Sequence, residues 1–490
     1  MRLDEYEWSR NPRGLHCQSI FQSPLPIERY TRPRMGWAKL LAVDFGFVDD
    51  IPGLLANNIT PIVRLYVGRY GAGPFNRHLQ QIVLEFARAG VKWFEFYNEP
   101  NIDAEWPMGF DPSWEDSENV IRPMMDNWMH FAEYVASIGC YPGFPALAES
   151  TSPRYAAVRW MDAFLNYIAS AHYNRFRALL NGGMYVCTHP LVVNHFYQEI
   201  PGRGPLSARP PEAQEGTGPG WHWEYPYDPI CQASDPGRTI YGGTRLTPYG
   251  DPNGLEAMGR MFNERAATMF GTQAVPVVGT EGGIWPFTEE PFYQQDNRYP
   301  PYNVESQAQA TVSMYEWLAR QSPPWYFGVC MWKEDEYYSH DWVAPAILEL
   351  ERVPPIYKEI PPLEVMAGPV VPTPTPTVEV YGPGPIHGTP DVHMIALAGG
   401  LTADWFMETA RAYYGQFRPV VTTQLDLIQY IPSSTSLAVT LIAPPDQADT
   451  VRDSLRALYP NVWVDVIRAD SLNNVRETFD SRAQRGLRFG

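Results

Sequence analysis

Cysteine is scarce in this 490-residue chain: there are 5, at Cys17, Cys140, Cys187, Cys231 and Cys330, an odd number at wide spacing with no CxxC pair. That argues against a disulfide framework or a structural zinc site. Positive charge is also short, since 37 Lys and Arg face 55 Asp and Glu and leave a net charge of −18. So acidic a chain is a poor partner for nucleic acid or an anionic membrane surface. No apolar run is long enough to cross a bilayer, so membrane insertion is not expected. The opening residues, Met1 to Trp8, lack the apolar centre of a signal peptide. The GxSxG elbow, the HExxH zinc motif and the phosphate-binding loop are missing. His189 and His195 are close in sequence but have no third residue at metal-ligand spacing.

What is present is apolar and aromatic. Hydrophobic residues make up 44% of the chain, which permits a large core rather than disorder. The 16 Trp and 29 Tyr supply ring faces of the kind that stack on the CH faces of sugars, although ordinary packing accounts for most of them. Eight apolar runs read as strands buried on both faces: 15–19, 38–43, 61–67, 92–97, 144–148, 184–193, 275–280 and 326–332. Helical patterns at 76–89, 120–138, 155–180, 255–270 and 305–320 lie between several of them. Eightfold strand-helix alternation predicts a (β/α)8 TIM barrel in residues 1–365.

The Pro- and Gly-rich stretch 198–251, with Trp221-His222-Trp223, is expected to wall the catalytic face of that barrel. A Pro/Thr/Gly-rich linker follows at 366–385, and residues 386–490 read as a small α/β domain. Thr402 is the expected N-cap of a helix there, and 420–430 is an expected strand. Such Pro/Thr spacers join modules of secreted enzymes, which argues by association for an extracellular or cell-surface setting.

Two of the barrel runs end in a glutamate. One is Phe94-Glu95-Phe96-Tyr97-Asn98-Glu99-Pro100-Asn101, the other Val277-Val278-Gly279-Thr280-Glu281. A carboxylate at the mouth of a buried strand is costly unless paired or used. Two carboxyls facing one substrate are the chemistry of glycoside cleavage. The motif Asn98-Glu99-Pro100 after strand four, with Glu281 after strand seven, resembles the clan A retaining glycoside hydrolases. The longer string around Glu99 is similar to family 39, while His195-Phe196-Tyr197 after strand six is similar to the His-x-Tyr of family 5.

The resemblance implies that Glu99 is the acid/base and Glu281 the nucleophile, with no cofactor or metal needed. It implies that Asn98 bonds the sugar 2-hydroxyl, that Tyr197 orients Glu281, that His195 contacts the acid or the sugar, and that Trp332 floors the subsite. The substrate so implied is a β-linked neutral poly- or oligosaccharide. Arg64, in a strand that faces the barrel interior, needs a carboxylate partner, either Glu281 or Glu95. The cluster 333–336 reads as a solvated rim or a sugar contact. The alternative is a non-catalytic carbohydrate-binding or surface-assembly protein on the same scaffold.

Overall fold

The computed structural model describes residues 1–17, 24–148, 150, 152–192, 197–198, 221–222, 236–237, 244–245, 255–284, 302–367, 392–431, 437–459 and 462–489. The chain divides into two compact units, one of Met1–Gly73 with Ile82–Pro376, the other of Thr377–Gly490 with Pro74–Gln81. Most of 198–251 and the Pro/Thr run lie outside the described residues.

The first unit is a closed barrel of eight parallel strands. They are β1 (Arg13–His16), β2 (Trp37–Ala42), β3 (Thr60–Leu65), β4 (Trp93–Glu95), β5 (Tyr141–Phe144), β6 (Tyr185–Thr188), β7 (Val277–Ile284) and β8 (Tyr326–Met331). Each pairs with the next, and β8 pairs back onto β1 with Cys330 opposite Gly14. Nearly every strand residue is buried, as parallel strands covered on both faces require. The outer layer is α1 (Glu28–Thr31), α2 (Ile51–Ala56), α3 (Arg77–Ala89), α4 (Arg122–Ser137), α5 (Ala157–Ala171), α6 (Tyr173–Gly182), α7 (Ala257–Phe270), α8 (Val304–Arg320), α9 (Glu334–Ser339) and α10 (Ala344–Arg352). The (β/α)8 expectation therefore holds.

The barrel interior is layered by the two-residue period of its strands. At the N-terminal ends Trp37 and Trp93 meet edge to face at 5.0 Å, and Trp8 stacks on Trp37 at 5.2 Å and on Phe327 at 4.7 Å. Gly328 makes room for this plug, because a Cβ there would stand 2.8 Å from Trp37 Nε1. Two residues further along their strands come Lys39 and Glu95, fully buried and charged. Apolar rings thus close one end, and the polar layer lies toward the other.

Several boundaries differ from the sequence reading; β1 runs Arg13–His16 against the expected 15–19, and β7 runs on to Ile284, so that Glu281 lies inside the strand and not at its end. Strand β5 lies about three residues earlier than expected, because Pro142 and Gly143 hide it; Pro is seldom found in a central strand. The expected helix 155–180 breaks at His172, whose backbone is non-helical and whose Nε2 is 2.6 Å from Asp126. The run 184–193 breaks at Pro190, so that Leu191–Val192 pairs with the end of β7 instead of extending β6.

The second unit carries a parallel sheet of β9 (Val392–Leu397), β10 (Val420–Thr422), β11 (Leu437–Ala443) and β12 (Trp463–Arg468), in the order β10-β9-β11-β12. Helices α11 (Ala403–Thr409), α12 (Arg411–Phe417) and α14 (Leu472–Arg485) cover one face, while α13 (Pro445–Leu458) covers the other. Thr402 caps α11 by accepting from the Trp405 N–H at 3.2 Å, as expected. The expected strand 420–430 stops at Thr422, whose hydroxyl oxygen accepts from the Gln424 N–H at 2.9 Å and turns the chain into a 3-10 helix.

Candidate active site

Strand β4 ends at Glu95, and the chain then turns sharply: Tyr97 and Glu99 both take left-handed backbone angles, with φ of 67° and 35°. Residues other than glycine seldom adopt that region, and such strain concentrates where a side chain must be aimed. The turn presents Asn98 and Glu99 at the C-terminal mouth. Across the barrel, β7 presents Glu281, which is 8% exposed.

Glu281 is surrounded by positive groups. Its Oε1 meets Arg64 at close range, Lys39 Nζ at 3.3 Å, His16 Nε2 at 3.5 Å and His189 Nε2 at 3.8 Å. The hydrogen bonds from Arg64 and Lys39 and the approaches of both imidazoles are all to Oε1. Burial pushes this carboxyl up, but His189, Arg64, Lys39 and His16 together hold it well below the usual carboxylate range. Glu281 is therefore an anion tethered through Oε1.

Beneath it, Lys39 Nζ lies 2.6 Å from Glu95, which also accepts from the Thr280 hydroxyl at 3.2 Å. Burial raises the Glu95 carboxyl, yet Lys39, Arg64 and His189 bring it below its ordinary value. Lys39 thus joins the strand-four and strand-seven carboxylates from below.

Glu99 is 21% exposed at its side chain and takes His189 Nδ1 at 2.7 Å on Oε1. One imidazole therefore faces Glu99 with one ring nitrogen and Glu281 and Glu95 with the other, at 3.8 and 3.9 Å. Those contacts cap the separation of the Glu99 and Glu281 Oε1 atoms at about 9 Å, a bound that spans both the ~5–5.5 Å of retaining and the ~6.5–9.5 Å of inverting acid pairs.

Asn98 is held on both sides. Its Oδ1 accepts from Arg64, and its Nδ2 donates to Glu105 Oε1 at 2.7 Å. Of the two partners left open for Arg64, hydrogen-bond contact is with Glu281, and Arg64 further orients Asn98. Trp332, whose bond to Lys333 is a cis peptide, sets its ring edge-on to His16 at 4.5 Å, so it stands beside the Glu281 cluster. His195 lies outside the described residues. Tyr197 is described in its backbone, which pairs with His222.

Four residues of this cluster escaped the sequence reading: His16, Lys39, His189 and Glu105. The signal for two of them was the strand period, since Lys39 follows Trp37 by two and His16 follows Gly14 by two, both on the inward side. His189 was overlooked in favour of His195, although it directly follows β6. The expected solvated rim at 333–336 is corrected at Glu334, which is 1% exposed and ion-paired with Arg29.

No protein-family model matches the chain, and no curated protein does. Among solved structures, a family 51 α-L-arabinofuranosidase from Bifidobacterium longum is similar at 10% identity and a TM-score of 0.35, over 66% of this chain and 67% of that one. An endo-β-1,4-mannanase from Thermotoga petrophila is similar at 11% identity and a TM-score of 0.29, over 72% of this chain and 78% of that one. Likeness at this level says nothing of chemistry; the strand order itself establishes the barrel. The first unit is a (β/α)8 barrel, with Glu99 just beyond the fourth strand and Glu281 in the seventh.

Proposed function

We propose that the protein is a retaining glycoside hydrolase acting on a β-linked neutral glycan, in an extracellular or cell-surface setting. The observation that carries this reading is that one imidazole faces both acids, of which Glu281 is held anionic. Glu281 is tethered through Oε1, while Glu99 is partly exposed against His189. In the first step Glu281 Oε2 attacks the anomeric carbon as the glycosidic bond breaks, and Glu99 gives its proton to the departing oxygen. In the second step Glu99 takes a proton from water, whose oxygen displaces Glu281 from the glycosyl ester. Arg64 keeps Asn98 in place for the sugar 2-hydroxyl.

Two variants test the roles. Glu281→Gln is expected to abolish turnover of aryl β-glycosides while the protein remains folded by circular dichroism. Glu99→Ala is expected to keep activity on substrates with good leaving groups, which need little protonation, and to lose it on poor ones. Wild-type rates in the first variant remove the nucleophile assignment. A wild-type protein that binds glycans without turnover supports the non-catalytic alternative.

A further inference from the structure

A cavity of about 200 Å³ opens between the segment that follows β3 and the Asp103–Glu105 turn that follows β4, lined in part by Arg64, which bonds Glu281, and by Asn98, which precedes Glu99. Arg64, Tyr66, Arg69, Tyr70, Asn98 and Glu105 are among the residues lining it. Its size is below the roughly 300 Å³ at which drug-sized pockets begin, and it suits a single sugar ring.

Glu105 is half-buried, and one oxygen accounts for its local role: Oε1 accepts the Asn98 amide. The turn itself is tied through its backbone, since the Gly71 N–H donates to the Glu105 carbonyl. The second carboxyl oxygen, Oε2, therefore has no structural task among the described residues. Arg69 is exposed and has no hydrogen-bond or ion-pair partner among them, and Tyr66 is 39% exposed. An acceptor, a cationic donor and an aromatic ring thus surround one ring-sized space, which matches the alternating hydroxyls and CH faces of a neutral sugar.

We propose that this cavity is a subsite for one neutral pyranose unit adjoining the scissile bond, with Glu105 as its specificity-determining residue. Glu105 Oε1 orients the Asn98 amide while Oε2 accepts a sugar hydroxyl. The inference rests on the glycosidase reading for its ligand class, and it adds a residue that the reading does not need.

The test is calorimetric titration of the full chain with S-linked cellobiose, xylobiose and mannobiose, which the acid pair does not cleave. Wild type is expected to bind at least one of them. Glu105→Ala is expected to weaken that binding roughly tenfold or more, the loss of a hydrogen bond to a charged group, with an unchanged melting temperature. Glu105→Gln keeps an acceptor oxygen and is expected to recover part of the loss; it also carries the test if the alanine variant is unstable. Wild type that binds none of the three sugars, or an alanine variant that binds as wild type does, overturns the subsite. So does a loss that tracks a fall in melting temperature. Turnover of aryl β-glycosides by wild type is measured separately. Binding without turnover rejects the hydrolase and keeps the subsite; turnover with unaltered binding in Glu105→Ala does the reverse.

Discussion

At the scale of the residue, Lys39 has the largest consequence. It is fully buried, and its one charge lies between two carboxylates, 2.6 Å from Glu95 and 3.3 Å from Glu281. Removing one partner of a buried ion pair costs about 3–5 kcal/mol, because the other charge stays behind in low dielectric. Lys39→Met is expected to lose stability of that order in urea denaturation, and Lys39→Met with Glu95→Gln to regain part of it. The sign of a second effect follows from the same contacts. Lys39 helps to hold the Glu281 carboxyl down, so its removal raises that carboxyl's pKa. Under the proposed mechanism Glu281 must be ionised to attack, so the acid limb of kcat/KM is expected to move to higher pH in any folded Lys39 variant. An unmoved limb would show that Arg64 and the two histidines suffice.

At the scale of the element, β5 depends on one small residue, Gly143. A Cβ added at Gly143 would stand 2.5 Å from Cys187 Sγ and 2.9 Å from Tyr185 Cζ, both on the neighbouring β6. Gly143→Ala is expected to cost about 1–3 kcal/mol through overpacking, read as a lower urea midpoint at constant slope. The same Pro142-Gly143 pair explains why β5 was misplaced from sequence: it interrupts the apolar run between Tyr141 and Phe144, whose rings are both buried. The strands that were legible, β2 and β7 among them, carry their own β-branched and aliphatic runs. His172 and Pro190 are the opposite case. Each interrupts a run that looks continuous, because one local residue outweighs the period on both sides.

At the scale of the whole molecule, both units are set to loosen in acid. His393 in β9 is hydrogen-bonded to Thr440 at 2.8 Å and to Tyr413 at 3.1 Å, and burial, with Arg482 and Arg488 nearby, brings its pKa down to about 3. An unfolded histidine titrates near ~6.5, so the unfolded state takes up the proton first as pH falls. The stability from neutral His393 is whole above that value and is lost progressively toward the folded pKa of about 3. Hydrogen exchange of β9 and β11 is expected to quicken as pH falls through this window, after correction for intrinsic exchange, and His393→Gln is expected to flatten the trend. In the barrel, buried His16 is also held low, with the same sign, while the depressed carboxyls of Glu95 and Glu281 withdraw their contribution only below about pH 4.

The amino-acid order alone determined the repeating strand-helix plan, the second α/β unit and the assignment of Glu99 to the fourth strand's exit and Glu281 to the seventh strand, because burial on both faces and helical period are written locally in each segment. Barrel closure decided the rest. It set Lys39 against a carboxylate 242 positions away, put His189 on Glu99 across 90 positions, and gave Arg64 its partners. A charge pair across strands leaves no local period behind; its members become visible once the inward-facing residues of different strands are brought to the same height.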